Sequence, residues 1–386
     1  MHKNFWGDYN AASFDRLAHD IQTQYLIVGG GITGLAAAYF LLEHGEKDIV
    51  LIEKHTIGSG STGHSAGMLV TGMETSSWTH LIRTHGLPEA RAYWDAQNRA
   101  VDLITALVEE GHIQCDLFPE EHLRLAGNAV AQKQLLQDFS AHKMMHSRVS
   151  DLEGEKLAEE FPADEFESAE RTTKNVSVNP LSLARGFARY LQKRGVRIFE
   201  HTELLSAAGG HAQTNHGAIT YSRIVRCMGV SEKDKHIQPF LTTICVTRVL
   251  TTKEKEAIGL LDNDMFEDVE TRSYHYGKIT GDNRLLVGYG DTKHTSGFTY
   301  GYTHLPHVHS IERFIARVFD TITPNIEYAW SAEFALSKSE LPVVRVGEEE
   351  VLVNGAGTQI ASIAVVSYAI SKLLGKRHVL DELFGS

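Results

Sequence analysis

Cysteine is scarce. Cys115, Cys227 and Cys245 are the whole complement, far apart, with no CxxC pair and no metal-ligand spacing. A scattered, odd count excludes a disulfide framework and fits a reducing compartment. Basic residues also run short: 37 Lys and Arg stand against 49 Asp and Glu, a net charge of −12. Such a chain has no general attraction for phosphate backbones or anionic lipid, which disfavours nucleic acid and membrane surface as partners. No apolar run reaches the ~18 residues of a membrane span. The longest candidate, Ile360 to Leu374, is broken by Ser362, Ser367, Ser371 and Lys372. Met1 to Asn10 shows no basic or apolar region of the kind that makes a signal peptide. Repeats and low-complexity tracts are missing too. What remains is 386 residues of ordinary globular composition, expected in the cytoplasm and long enough for two or three domains' worth of core.

Glycine is what the chain has in informative places. Tyr25 to Val28 is a short apolar run that reads as a buried parallel strand. It enters Gly29-Gly30-Gly31-Ile32-Thr33-Gly34, a GxGxxG pattern through Gly29, Gly31 and Gly34. The first glycine makes the tight turn, the second lets backbone approach a pyrophosphate, and the third lets helix pack on strand. A helix follows from Ile32 to His44 and closes at Gly45. A second strand, Asp48 to Ile52, ends at Glu53 and Lys54. A carboxylate at that place binds ribose hydroxyls and disfavours a 2′-phosphate.

Further α/β signals recur along the chain. Helices are expected at Pro88–Gly111 and Pro180–Arg194, and strands at Val196–Phe199 and Ile224–Met228, the latter running into Gly229. Phe240–Leu250 and Arg284–Tyr289 read as antiparallel strands of a second layer. A last strand, Val351–Val353, enters Asn354-Gly355-Ala356-Gly357, and a helix follows from Gln359 to Leu374. The pattern implies a dinucleotide domain in three pieces, 20–85, 170–232 and 333–386. A second domain, 86–169 and 233–332, interrupts it, and a leader, 1–19, precedes it.

The loop Gly58-Ser59-Gly60-Ser61-Thr62-Gly63-His64-Ser65-Ala66-Gly67-Met68 resembles the second signature of the D-amino-acid-oxidase-like FAD oxidoreductases. That superfamily includes glycine oxidase, sarcosine oxidase and dimethylglycine dehydrogenase. Phe5-Trp6, the stretch from His85-Gly86 to Gly111, Asn179-Pro180, Thr280 to Gly288, Trp330 to Pro342 and Asn354 to Gly357 resemble further segments, nearest the gamma-glutamylputrescine oxidase-like branch. The resemblance implies an α/β fold: a Rossmann-like FAD domain of the GR2 type, interleaved with a substrate domain on a mostly antiparallel sheet with flanking helices. It implies FAD held at the first turn by Gly29, Gly31, Ile32, Thr33 and Gly34, with Glu53 and Lys54 at the ribose. It extends the site to Ser61, Thr62, His64, Ser65, Ala66, Gly67 and Met68, to Leu204 and Gly229, and to Gly355, Gly357, Thr358, Gln359 and Ile360.

Departures from the family pattern shape the functional expectation. The closing loop Gly355-Ala356-Gly357-Thr358-Gln359-Ile360 carries fewer glycines than usual, leaving Thr358 and Gln359 to offer N–H groups. The family's amino-acid oxidases tend to place an Arg after the Trp of the C-terminal segment; here the stretch is Ser331 to Ala335, with Phe334 near that place. This points away from a simple α-amino acid and toward an amine without a nearby carboxylate. Where sarcosine oxidases use a Lys near the flavin, the closest match is Leu286, with Arg284 and Lys278 nearby. His64 matches the His that is bonded to flavin in dimethylglycine and sarcosine dehydrogenases, though Gly63 replaces the usual Trp. Covalent attachment and a plain hydrogen bond within the loop both stay open.

The resulting expectation is oxidation of the C–N bond of a small secondary or primary amine, polyamine- or N-methyl-amino-acid-like, by hydride transfer to flavin N5, giving an imine that hydrolyses, with O2 or a redox partner as electron acceptor. Pocket candidates are Tyr274, Tyr276, Lys278, Met68 and Phe334, and no catalytic base is named. A 2-hydroxy-acid or tRNA-side-chain oxidoreductase is one alternative, and an FAD-binding subunit or degenerate scaffold another. His304, His307 and His309 read as solvated loop histidines rather than a metal site. Glu348 to Glu350 reads as a solvated turn, and Lys253 to Glu256 as an exposed helix start.

Overall fold

The first apolar run is the end of a strand, Ile21–Val28, whose last four residues are buried. The computed structural model describes residues 4–385 apart from 9–10, 12, 74–75, 148, 155, 158–160, 162–164, 232–233, 259–263, 270–273, 295–302 and 340. Ile21–Val28 lies at the centre of a sheet. It pairs in parallel with Ile49–Ile52 on one side and Ala218–Arg226 on the other. Arg197–Phe199 extends the sheet beyond the first and Glu350–Asn354 beyond the second, both in parallel. Val343–Val346 closes one edge antiparallel. The chain thus winds to one side of Ile21–Val28 and later returns to the other. That reversal makes the carboxyl end of this strand a topological switch point, where α/β sheets bind ligands. Helices Ile32–Glu43, Pro180–Lys193 and Gln359–Leu373 bury apolar side chains in one core over a face of this sheet. Pro180 opens its helix at the position where a missing N–H costs nothing.

The second sheet runs Ile326–Ser337, Ile237–Val249, Arg284–Lys293, His275–Ile279, Asp264–Asp268, Phe118–Ala126, Ser168–Ser177, Met68–Leu69. Its pairs are antiparallel except that between Asp264–Asp268 and Phe118–Ala126. Helix Leu305–Val318 covers its outer face with Ile311, Phe314 and Ile315 against Phe266 and Val287. Residues directly opposite across strands share a face. One such row crosses the sheet: Trp330, Ile244, Gly288, Tyr276, Glu267, Arg124 and Glu170.

Several elements sit differently from the sequence reading. Ser168–Ser177 lies wholly in the second sheet, across the expected break at 170, and Ile326–Ser337 carries that sheet past 333. Met68–Leu69, inside the expected 20–85 piece, also pairs into it. Helix Leu87–Glu110 lies in the expected second domain, yet buries Tyr93, Trp94 and Ile104 in the dinucleotide-side core. Long strands here run from one layer straight into loops of the other, so no break in composition marks the passage. Helical geometry also overturns the loop reading at His307. Pro306 lies at the start of the Leu305–Val318 helix, and its apolar stripe turns His307 inward beside Val308. His307 is buried with Nδ1 3.1 Å from Thr243 Oγ1, whereas His309 is exposed. Among the described residues no three potential ligands gather as a metal site, and no helix is long and apolar enough to cross a membrane.

Candidate active site

The turn at the switch point depends on two glycines. Gly29 has φ +113°, and a Cβ there would lie 2.3 Å from the Cys227 carbonyl oxygen. A Cβ on Gly34 would lie 1.9 Å from the Gly29 oxygen, so only glycine lets the helix seat against the strand. Gly31 caps the helix without a side-chain acceptor of its own, so backbone donors of the first turn other than Ile32 N stay turned toward whatever anion the loop holds. The Ile32 N–H donates to Thr62 Oγ1 at 3.0 Å, which ties this turn to the 58–67 loop. Glu53 accepts from Gly30 N at 2.8 Å through Oε2 and from His55 N at 2.9 Å through Oε1. A carboxylate has about four acceptor sites, so both oxygens retain capacity for a hydroxyl.

The 58–67 loop contains a short helix, Ser61–His64. Two indoles grip its end: Trp330 Nε1 donates to the His64 carbonyl at 2.9 Å and Trp6 Nε1 to the Ser65 carbonyl at 2.8 Å. The His64 ring is buried, with Nδ1 3.0 Å from the Gly60 oxygen. A carbonyl only accepts, so Nδ1 carries the proton. Burial pulls the imidazole down to about 4 against the opposing pull of that bond, so His64 is neutral at pH 7 with its lone pair on Nε2.

The closing segment brings the third helix start to the same place. Gly355 has φ +70°, and a Cβ there would meet Ser337 N at 2.7 Å. Thr358 caps the Gln359–Leu373 helix by accepting from Ala361 N. Its own N–H donates to the Ala356 oxygen at 2.9 Å, so of the two N–H groups expected from Thr358 and Gln359 the first is already engaged. Gln359 Nε2 bonds Ser65 Oγ at 2.8 Å, while Gln359 Oε1 is buried with no hydrogen bond in the protein.

These parts enclose a cavity of about 1660 Å³. That exceeds the ~300–1,000 Å³ of an ordinary small-ligand site, so it suits a long ligand with a second one beside it. Its lining comes from both layers. The glycine turn, Glu53, Lys54, His64, Leu204, Gly229 and the start of the last helix form one end, and Met68, His122, Thr242, Glu267, Tyr274, Tyr276 and Phe334 belong to the second sheet's side. Tyr276 hydrogen-bonds Thr242 Oγ1 at 2.8 Å through its hydroxyl. Its ring lies where a Cβ on Gly288 would come within 2.1 Å.

The profile of the DAO family, described as FAD dependent oxidoreductase, matches residues 24–370. The chain belongs to that family. It is 26% identical over 357 residues to gamma-glutamylputrescine oxidoreductase of Escherichia coli K12, covering 86% of this chain and 78% of that one. It is 25% identical over 283 residues to the probable oxidoreductase OrdL of Haemophilus influenzae, spanning 68% of this chain and 63% of that one. In fold it is similar to glycine oxidase from Geobacillus kaustophilus, with TM-score 0.76, 19% identity, and 92% and 96% of the two chains covered.

FAD, the DAO cofactor, fits the residues present. A glycine cradle, an accessible helix start, the Glu53 carboxylate and the partnerless Gln359 Oε1 all border one long cavity. Of the sequence-derived cofactor residues, Gly34, Gly67 and Ile360 do not line it. Gly34 is a packing contact, as above. Gly67 has φ +70° and a Cβ there would strike the Val178 oxygen at 2.1 Å, so its role is to turn the chain. Ile360 is fully buried in the core under the helix. Lys278 also departs from its expected place at the pocket. Its Nζ sits 3.4 Å from the Gly67 oxygen and 5.8 Å from the Trp6 ring centroid, and it is not among the residues that line the cavity. Burial lowers this ammonium to about 8, opposed by Glu120 and Asp116.

His122, Glu267 and Glu333 line the cavity without having been singled out in the sequence. Glu333 is buried with Oε1 making no hydrogen bond, and burial raises its pKa against the pull of His294 and Lys54. The available signal was polar residues alternating with apolar ones, as in Glu120 to Leu125, where a strand turns every second side chain to one face.

Proposed function

We propose that this flavoenzyme oxidises the C–N bond of a small amine, secondary or primary, to an imine that water then hydrolyses to a carbonyl compound and a free amine. The carrying observation is the chemistry of the cavity wall. No arginine is among the described residues that line it, and its one lysine, Lys54, lies beside Glu53 and donates to Ser231 Oγ at 2.9 Å. The second-sheet side instead offers Tyr274, Tyr276, Phe334 and Met68, an aromatic and apolar wall that suits an amine better than a carboxylate. The names of the relatives, a putrescine conjugate and glycine among them, agree with a nitrogen-bearing substrate.

In this reading Gly29, Gly31 and the Ile32–Thr33 helix start hold the pyrophosphate of FAD, Glu53 and Lys54 the ribose, and Ser61 to Ala66 with Gly357 to Gln359 the flavin end. Bound FAD supplies the hydride acceptor. The protein's part is to hold the neutral amine against the aromatic wall and to exclude water. A neutral amine needs no base to give up hydride, so no side chain is assigned that role. His64 meets the chemical requirement for covalent attachment, a neutral imidazole at the cavity. We place the reaction in the cytoplasm, with O2 or a redox protein as final acceptor.

Anaerobic mixing of the purified flavoprotein with an amine panel tests the reading. Bleaching of the flavin band by amines, and not by 2-hydroxy acids, supports it; a band that stays unbleached throughout overturns it in favour of a scaffold. Reoxidation by air or by a dye then separates oxidase from dehydrogenase. Acid precipitation reads the flavin linkage: a yellow pellet marks covalent attachment and a colourless one excludes it.

A further inference from the structure

We propose that the preferred amine carries a second cationic group, an ammonium at the far end of a short aliphatic chain, seated on Glu267 and His122 against Tyr276. The proposal rests on the amine reading above and names the substrate class within it: an α,ω-diamine or polyamine rather than a monoamine.

Position comes first. Glu267 and Tyr276 are directly opposed on neighbouring antiparallel strands, so their side chains share one face, and both line the cavity. The row changes character as it crosses the sheet, from Trp330 and Ile244 through Tyr276 to Glu267 and Arg124. Of this row Trp330, Tyr276 and Glu267 line the cavity, so a ligand there meets aromatic surface on one side and an acid on the other.

Charge balance comes next. Arg124 Nε donates to Glu267 Oε1 at 3.0 Å, and Arg124 Nη1 lies 3.1 Å from Asp138 Oδ2 and 3.2 Å from Glu170 Oε1. One guanidinium therefore serves three carboxylates. Burial raises Glu170 to about 7 against the pull of Arg124, but with Glu170 protonated two carboxylates still share one cation. Glu267 is the member of this group that lines the cavity, so the surplus negative charge faces the ligand.

An independent feature points the same way. His122 is 3% exposed and lines the cavity, yet its Nε2 makes no hydrogen bond; the nearest acid oxygen, Glu267 Oε2, is 3.7 Å away. Burial and Arg124 both keep this imidazole neutral, against the pull of Glu267. A neutral imidazole has one nitrogen that accepts, and an ammonium has three donors, so a single –NH3+ satisfies Glu267 and His122 together. Its charge also gains from the Tyr276 ring. A carboxylate at the same place would meet only acceptors.

The test compares kcat/KM for α,ω-diamines of three to six carbons, n-alkyl monoamines of matched length and the matching ω-amino acids, in the holoenzyme and in Glu267→Gln. The wild type is expected to prefer diamine over monoamine on the order of 10- to 100-fold, the range for a hydrogen bond to a charged group, with ω-amino acids poorest. Glu267→Gln keeps an oxygen for Arg124. It is expected to collapse that preference while leaving monoamine turnover and FAD content within about threefold, which a merely structural role would not do. Monoamines and diamines oxidised equally well by the wild type overturn the inference without needing the variant, and so does a variant that loses both activities alike. Those outcomes leave the amine reading standing. If no amine bleaches the flavin, that reading falls and this inference falls with it.

Discussion

Trp330 donates its indole N–H to the backbone oxygen of His64 at 2.9 Å, joining a strand of the second sheet to the 58–67 loop that lines the cavity. Trp6 repeats the device one residue on, at Ser65, and the two rings meet edge to face 6.4 Å apart. Trp330→Phe keeps an aromatic ring but strands a buried carbonyl, a loss of about 1–3 kcal/mol. If that loss appears as loop mobility, FAD affinity falls by roughly tenfold. Titration of the apoprotein with FAD, followed by quenching of flavin fluorescence, measures it. Unchanged affinity would mean that Trp6 alone holds the loop.

Gly288 gives Tyr276 its place. With a Cβ at 288 only 2.1 Å from Tyr276 Cζ, Gly288→Ala drives the phenol off the sheet and breaks its bond to Thr242. Tyr276 lines the cavity on the second sheet's side, so under the proposed function the expected outcome is a KM for amine raised about tenfold or more with FAD content near wild type. A steady-state amine titration beside a flavin-to-protein absorbance ratio checks both halves. Equal loss of FAD would show that the strand itself had shifted.

Glu200 is a fully buried carboxylate with a backbone task. Its Oε2 accepts from Ser13 N at 2.6 Å and Phe14 N at 2.9 Å, and its Oε1 from Ile57 N at 2.6 Å. It pins the segment before the first strand to the loop after Glu53. Glu200→Ala leaves three donors without an acceptor, and even with water reaching some of them the cost is about 3–5 kcal/mol. Urea unfolding of the two proteins, compared by midpoint, gives the difference.

The dinucleotide half was legible because its signals are local. Strand, glycine turn, helix and Glu53 all fall within one short stretch, and each glycine has a steric reason that one residue type satisfies. Thr62, His64 and Gln359 were legible through loop motifs. Gly67, Ile360 and Lys278 fall outside the cavity lining for one reason. A motif marks a segment as near the flavin, but whether a side chain faces the cavity depends on the turn it sits in. Gly67 turns the chain, Ile360 points from its helix into the core, and Lys278 reaches the Gly67 carbonyl. His122 and Glu267 were hidden for a different reason. They come from strands far apart in sequence, brought side by side by a parallel pairing that no local periodicity encodes. His307 was hidden because a buried hydroxyl, Thr243, supplies its partner from a strand far from its helix in sequence.

Buried neutral histidines make the fold sensitive to mild acid. Burial lowers His64 to about 4, His307 to about 4 and His142 to about 3, the last two with further lowering from His304 and Arg124 respectively. Each has a folded pKa below the ordinary value of about 6.5, so between pH 6.5 and about 4 the unfolded chain binds the proton and the folded one refuses it. Stability from these groups is present above pH 6.5 and lost as pH falls. Glu170 works in the opposite sense. Its pKa is raised to about 7, so the folded state takes up its proton first and gains stability between pH 7 and about 4.5. Among these four groups three protons stand against one; His122 and His378 are lowered in the same sense and Glu120 and Glu333 raised in the other, so a net loss of stability is expected below pH 6. Urea midpoints taken at half-unit steps from pH 7.5 to 5 should therefore be flat at first and then fall steeply. His307→Gln, which keeps a polar group beside Thr243, should reduce the slope by about 1.4 kcal/mol per pH unit. A midpoint that holds level down to pH 5 would show that these imidazoles take up protons in the native state without resistance.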